Sequence, residues 1–180
     1  MRIIDFSVEG LRSFKEVRTI FPSPRRVVCA MVNRIDWSRV KRVAELGAGN
    51  GAVTRSLLEV MPRAAHLTVY ETNPKYCRAL EEIDDSRLTI KNESAENLDF
   101  PVDLVVSSVP MACFSIRDGR SRTLDAVVEH LSPHGQFVHH QYKPGMGKVL
   151  QNYFDDVRRR LVLCYFWPAP VYNCSEPISF

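Results

Sequence analysis

A carboxylate followed by three closely spaced glycines is the part of the chain best suited to chemistry. In the stretch ELGAGNGAVT, Glu45 ends an apolar run, and Gly47, Gly49 and Gly51 fall within five positions behind it. Glycine lets a backbone come close to a ligand, and a helix starting behind the loop adds its unpaired amides and partial positive charge. Either a ligand sits on this backbone or the glycines serve only a turn. Gly47, Gly49 and Ala52 satisfy the dinucleotide spacing G-x-G-x-x-G/A. Glu45 argues against that ligand, because a carboxylate at the strand end repels a pyrophosphate and attracts a cation. The third glycine, Gly51, also makes the pattern G-x-G-x-G.

The elements that must position these residues alternate. Apolar, β-branched runs at 42–46, 66–71, 87–91, 102–108 and 135–142 read as strands, and segments 51–61, 74–83, 119–131 and 146–160 read as helices. Near-continuous apolar strands separated by helices predict a parallel sheet covered on both faces. Pro62 and the stretch SPHG (132–135) supply helix stop signals. RLVLCYFW and PVYNCS flank a short Pro-Ala turn and must be antiparallel neighbours. The fold class is therefore α/β, a doubly wound, mostly parallel sheet finished by a C-terminal antiparallel hairpin. The run VRRR (157–160) reads as a solvated helix end that complements the helix dipole.

Composition narrows the setting. The 180 residues, 45% hydrophobic, suffice for one substantial core, so residues 1–180 are expected to be one domain with 1–35 as an N-terminal helical cap. A net charge of +3 does not by itself indicate nucleic acid and suits an anionic membrane surface equally well. The five cysteines, Cys29, Cys77, Cys113, Cys164 and Cys174, lack metal-type spacing and read as reduced thiols of a cytoplasmic protein, with no metal site. The first residues resemble no signal peptide, and no apolar run is long enough to span a bilayer. Ile4, Val8, Leu11 and Phe14 recur at helical spacing among basic residues. That helix either packs on the core or lies on an anionic bilayer.

The stretch ELGAGNG resembles motif I of the class I S-adenosylmethionine-dependent methyltransferases, whose cofactor carries two cationic groups. The resemblance implies a seven-stranded Rossmann-like sheet and S-adenosylmethionine as cofactor. It also implies that Glu71, closing the second strand in VYETN, binds the ribose hydroxyls. By register Ser94, with Ala95 beside it, takes the place of the acid that contacts the adenine amino group, and Glu93 or Glu96 are the alternatives. Glu45, Gly47, Gly49, Gly51 and Glu71 head the cofactor set, with Ser94, Ala95, Ser107 and Ser23 added.

The loop after the fourth strand, SSVPMACF (107–114), should face the methyl acceptor. RNA adenine dimethyltransferases carry Asn-x-Pro-aromatic here, and this chain has Ser108-Val109-Pro110-Met111, without amide or ring. The chain is also expected to lack their helical RNA-binding domain, so RNA is disfavoured. It more closely resembles the compact bacterial phospholipid N-methyltransferases. The Pro22-Ser23 pair ahead of a helix, Tyr142 at the end of the fifth strand and the terminal hairpin carry that likeness. It implies methylation of a phosphatidylethanolamine-like headgroup amine, with Ser108, Pro110 and Tyr142 on the acceptor side and Phe21 with Ser23 closing over the cofactor. A small-molecule or lipid substrate, and peripheral contact with an anionic membrane at its inner face, are the expected partners. RNA adenine or a soluble amine remains the alternative acceptor, and a non-catalytic cofactor-binding module the alternative class. His139 and His140, adjacent on a strand, face opposite sides, so at most one points into a pocket.

Overall fold

The computed structural model describes residues 25–110, 114, 120–141, 145–164 and 167–178, with the side chains of Cys164 and Trp167 excepted. The N-terminal amphipathic stretch, Phe21, Ser23, Met111 and Tyr142 lie outside the described residues.

A single sheet of seven strands runs through the described chain in the order β3-β2-β1-β4-β5-β7-β6. The strands are β1 (Arg42–Leu46), β2 (His66–Tyr70), β3 (Leu88–Lys91), β4 (Val102–Ser107), β5 (Leu131–His140), β6 (Phe154–Cys164) and β7 (Trp167–Pro177). The first five pair in parallel, and β7 pairs antiparallel with both β5 and β6, so only β7 runs against the rest. Helix α1 (Arg25–Val32) precedes the sheet, and α2 (Ala52–Val60), α3 (Pro74–Glu81), α4 (Arg122–His130) and α5 (Met146–Leu150) fill the connections.

Strand alternation sends successive side chains to opposite faces, and each face has its own core. Val43, Val69, Val106, Val138 and Val171 pack on one side with Val27 and Met31 of α1 and Leu57 of α2. Leu46, Tyr70, Phe137 and Tyr172 pack on the other with Leu124 and Val127 of α4 and Met146 of α5. Helix α3 starts on Pro74 behind Asn73, whose side chain accepts from the Lys75 amide, a proline-first, Asx-capped start. After β1 the chain winds outward through β2 and β3, then returns to place β4 on the other flank of β1. That reversal opens a crevice at the carboxyl ends of β1 and β4, where open α/β sheets bind ligands.

The C-terminal third departs from the sequence expectation. The segment 146–160 is not one helix: α5 stops at Leu150, and β6 already starts at Phe154. Leu150, Phe154 and Val157 have helical spacing and do share one core, but pairing with β7 converts the second half to strand. Arg158, Arg159 and Arg160 are thus strand residues, not a helix end. The two strands also pair further than expected, as far as Cys164↔Trp167, and Pro168 and Pro170 sit inside β7. Two residues apart, they turn their missing N–H groups to one side. β5 pairs only as far as Val171, so that side is open at both prolines. Strand β5 begins at Leu131, with a register shift against β4 taking up SPHG.

Candidate functional site

The glycine loop leaves β1 at Leu46. The Gly47 amide donates to the Tyr70 carbonyl at 2.8 Å, which fastens the loop to the end of β2. Gly47, Gly49 and Gly51 all have positive φ, +73°, +54° and +78°. The two outer needs differ from the middle one. A Cβ on Gly47 would lie 2.6 Å from Val109 Cγ2 of the loop after β4, whereas a Cβ on Gly49 would meet nothing within 4 Å. Gly47 is therefore required by protein packing. Gly49 borders open space, as a backbone that receives a ligand should.

That contrast gives a test. Gly47→Ala combines left-handed strain with collision and should lower stability by about 3 kcal/mol, roughly 6–12 °C in Tm. Gly49→Ala should lose only about 1 kcal/mol of stability. It should nonetheless weaken S-adenosylhomocysteine binding at least tenfold, read by calorimetry. Unchanged affinity in Gly49→Ala would reduce the loop to a structural turn.

Glu71 follows β2 and is 8% exposed. Its Oε2 accepts from the Gly49 amide at 2.9 Å and its Oε1 from the Asn73 amide at 2.8 Å. Its own carbonyl accepts from Asn92 Nδ2 at 2.8 Å and from Cys77 Sγ at 3.3 Å. The carboxylate is thus locked between the glycine loop and the start of α3, with one lone pair per oxygen still available. Such a carboxylate is oriented in advance for a pair of hydroxyls.

Glu45 stands on the opposite footing. It is 1% exposed, and neither carboxylate oxygen has a partner in ordinary hydrogen-bond geometry; the buried Thr54 hydroxyl of α2, near enough to act on its charge, stands outside that geometry too. Burial pushes its carboxyl up to about 7; Thr54 opposes that rise and the nearby Glu71 charge adds to it. An orphaned carboxyl beneath a ligand loop is costly to the empty protein. A cationic group entering the crevice offsets that cost.

Around these two, Asn92 holds the segment after β3 against Glu71. Ser94 is the N-cap of a short turn, Ala95–Asn97, its hydroxyl accepting from the Glu96 amide. Glu93 is engaged by Asn97 Nδ2 at 3.3 Å. Across the crevice, Ser108 Oγ donates to the Gly47 carbonyl at 3.3 Å, tying the acceptor loop to the glycine loop. Ser107 is fully buried, and its hydroxyl accepts from the Val109 amide at 3.3 Å. Pro110 is the last described residue of that stretch, partly exposed at the crevice end of β4. Glu45, the glycines, Glu71 and Ser108 are brought to one sheet edge; Ser23 and Tyr142 lie outside the described residues.

His139 is the first of the two adjacent strand histidines. It pairs in register with Ser107 on one side and Tyr172 on the other. Its ring lies 5.3 Å from Phe114, 5.8 Å from Phe137 and 6.3 Å from Tyr172, centroid to centroid. Neither ring nitrogen has a partner in ordinary hydrogen-bond geometry, and burial, opposed by the neighbouring Gln141 side chain, drives its pKa down to about 3, so it is neutral. His140 is buried on the other face with Nδ1 3.0 Å from the Pro170 carbonyl. The opposite-face expectation holds, and both rings are inside. Among the described residues no cluster of three potential metal ligands occurs. Cys29, Cys77 and Cys174 are free thiols.

No family model matches the chain. It is 24% identical over 173 residues to an ornithine lipid N-methyltransferase from Singulisphaera acidiphila, with 88% of each chain covered. Among solved structures, it superposes at a TM-score of 0.71 on 1,6-didemethyltoxoflavin-N1-methyltransferase from Burkholderia thailandensis, seen with 1,6-didemethyltoxoflavin and S-adenosylhomocysteine. That match is 16% identical and covers 94% of this chain and 84% of that one. An S-adenosylmethionine-dependent O-methyltransferase from Thermotoga maritima superposes at 0.68, with 15% identity and 93% and 71% covered. These superpositions, over most of the seven-stranded sheet's chain, show the Rossmann-like methyltransferase fold.

Proposed function

We propose that this protein is an S-adenosylmethionine-dependent N-methyltransferase whose acceptor is the amine of a lipid headgroup of the phosphatidylethanolamine type. The observation that carries the cofactor is the pairing of an orphaned, buried Glu45 with a backbone-anchored Glu71 around the glycine loop. One carboxyl suits a cation and the other a ribose edge. When bound, S-adenosylmethionine would be held by Glu45, Glu71 and the glycine loop and would supply an electrophilic methyl group on a sulfonium, open to direct displacement by an amine.

The chain's own residues supply alignment and a dry setting, which is most of what a direct displacement requires. Glu71 and the Gly49 amide fix one end of the cofactor site, and Glu45 balances positive charge beneath it. The Ser108–Gly47 contact sets the spacing between acceptor loop and cofactor loop. Phe114, Phe137 and Tyr172 keep water from the floor around neutral His139. A headgroup ammonium must lose a proton before it can attack. Tyr142, two positions after the end of β5, is the residue we assign to that side, with Ser108 and Pro110. Likeness to a lipid N-methyltransferase over most of the chain supports a lipid amine over RNA or a soluble amine.

Methyl transfer from radiolabelled S-adenosylmethionine into a bacterial cell extract, separated into lipid, RNA and soluble fractions, decides the acceptor. Label is expected in lipid, co-migrating with methylated ethanolamine lipids. Label on an ornithine-type lipid would keep the lipid class and change the headgroup. Label in RNA or soluble amines would overturn the acceptor. Tight S-adenosylhomocysteine binding with no label anywhere would replace the enzyme by a cofactor-binding module.

A further inference from the structure

The β6–β7 hairpin overshoots the sheet on the side of the site. Arg160 is level with His140, the last residue of β5, because both pair with Val171. Strand β6 runs parallel to β1, β4 and β5, so Leu161–Cys164 continue past the carboxyl edge where Gly47 and Ser108 lie. At about 3.3 Å per residue, Leu163 stands roughly 10 Å beyond that edge. Leu161 and Leu163 are 55% and 74% exposed, the two most exposed large hydrophobic residues among those described.

Charge is sorted along the same strand. Asp155 and Asp156 lie at its far end, Arg158 to Arg160 in the middle, and the exposed leucines at the projecting end. Beside it, Arg25, Arg26, Asn33 and Arg34 on and after α1 line an open groove with Arg160 and Val162, and no acidic residue lines it. Arg160 reaches the Ala30 carbonyl at 3.3 Å. None of Arg25, Arg26, Arg34 or Arg160 is ion-paired among the described residues.

Unpaired arginines beside projecting aliphatic side chains match the two layers of a bilayer interface, anionic headgroups outside and acyl chains within. We propose that Leu161 and Leu163 of β6 and the adjoining arginine groove dock the protein on an anionic lipid bilayer, which then lies across the carboxyl edge of the sheet. The surface is separate from the residues assigned to methyl transfer, so docking and turnover can fail independently.

Sedimentation with sucrose-loaded vesicles tests this. The intact chain should bind vesicles containing phosphatidylglycerol and not vesicles of phosphatidylcholine alone. Arg26→Gln with Arg34→Gln should weaken binding about 25-fold, near fivefold per cation. Leu161→Ser with Leu163→Ser should weaken it roughly tenfold or more. Both double variants should keep wild-type S-adenosylhomocysteine affinity and Tm. Equal binding to both vesicle types, no binding, or variants that bind like wild type would overturn the proposal. So would a wild-type dimer, by size-exclusion chromatography, that the leucine variant dissociates, because β6 would then be an interface between copies. Loss with the arginine variant alone, together with wild-type affinity for RNA, would make the groove a nucleic-acid surface. Vesicle binding without any methyl transfer would sink the proposed acceptor and leave the docking surface standing.

Discussion

Glu71→Ala should reduce affinity for S-adenosylhomocysteine by at least about 100-fold, or about 2.7 kcal/mol, while the sheet stays folded. The wild-type carboxylate receives the Gly49 and Asn73 amides at 2.9 and 2.8 Å. Hydrogen bonds to a charged acceptor contribute about 1.5–3 kcal/mol each, and truncation takes the acceptor from both donors. The loop loses its tie to β2 at Gly49 but keeps the one at Gly47, whose amide is bonded to the Tyr70 carbonyl. Local loosening of the Gly49 backbone and loss of the ribose acceptor therefore act together on affinity. Glu71→Gln retains one acceptor oxygen and should fall between the two. Calorimetric titration alongside thermal unfolding separates ligand loss from collapse. Unchanged affinity in Glu71→Ala would mean that the second-strand acid holds the loop and nothing else.

Much of this site is legible in the sequence because its determinants are local. Glu45, the glycines and Glu71 sit at the ends of short apolar runs whose period and length identify strands, and the runs at 42–46 and 66–70 are observed as strands. Other features depend on contacts between distant residues. Nothing in ELGAGNG says that Gly47 must clear Val109, or that Ser108 donates to the Gly47 carbonyl. Ser94 reads as a stand-in for an acid, but its hydroxyl is engaged as the cap of its own turn. The helix expected at 146–160 rested on real periodicity at Leu150, Phe154 and Val157. Only pairing with β7 shows that half of it is strand. Prolines suggested a turn at 168–169 because the open flank of β7, where a missing N–H does no harm, is a property of the assembled sheet. The orphaned state of Glu45 and His139 likewise follows from what surrounds them, not from their neighbours in the chain.

Those two orphans have opposed effects on stability. Glu45 holds its proton up to about 7 in the folded chain, against an ordinary 4.5, so folding favours the protonated form. Its contribution is undisturbed below pH 4.5 and stability is lost as pH rises toward 7, about 3 kcal/mol in all at about 1.4 kcal/mol per unit. His139 is held neutral down to about 3, against an ordinary 6.5, so its contribution is intact above pH 6.5 and lost as pH falls toward 3. Between 4.5 and 6.5 the folded chain carries one proton on Glu45 and none on His139, and the unfolded chain the reverse. The two slopes cancel there, and His140, also shifted down by burial, tilts stability in the same direction as His139. Glu45→Gln should expose the His139 slope, losing about 3 kcal/mol more than wild type from pH 6.5 to 4.5, and should be about 3 kcal/mol more stable than wild type above pH 7. The same variant should bind S-adenosylmethionine more weakly while binding neutral-sulfur S-adenosylhomocysteine with a smaller loss, because ionised Glu45 favours the extra cation. Urea unfolding across this range, with both ligands titrated at the upper end, reads every one of these effects. Parallel pH profiles for Glu45→Gln and wild type would show that Glu45 ionises freely in the fold, and would remove the charge argument for a cationic ligand beneath the glycine loop.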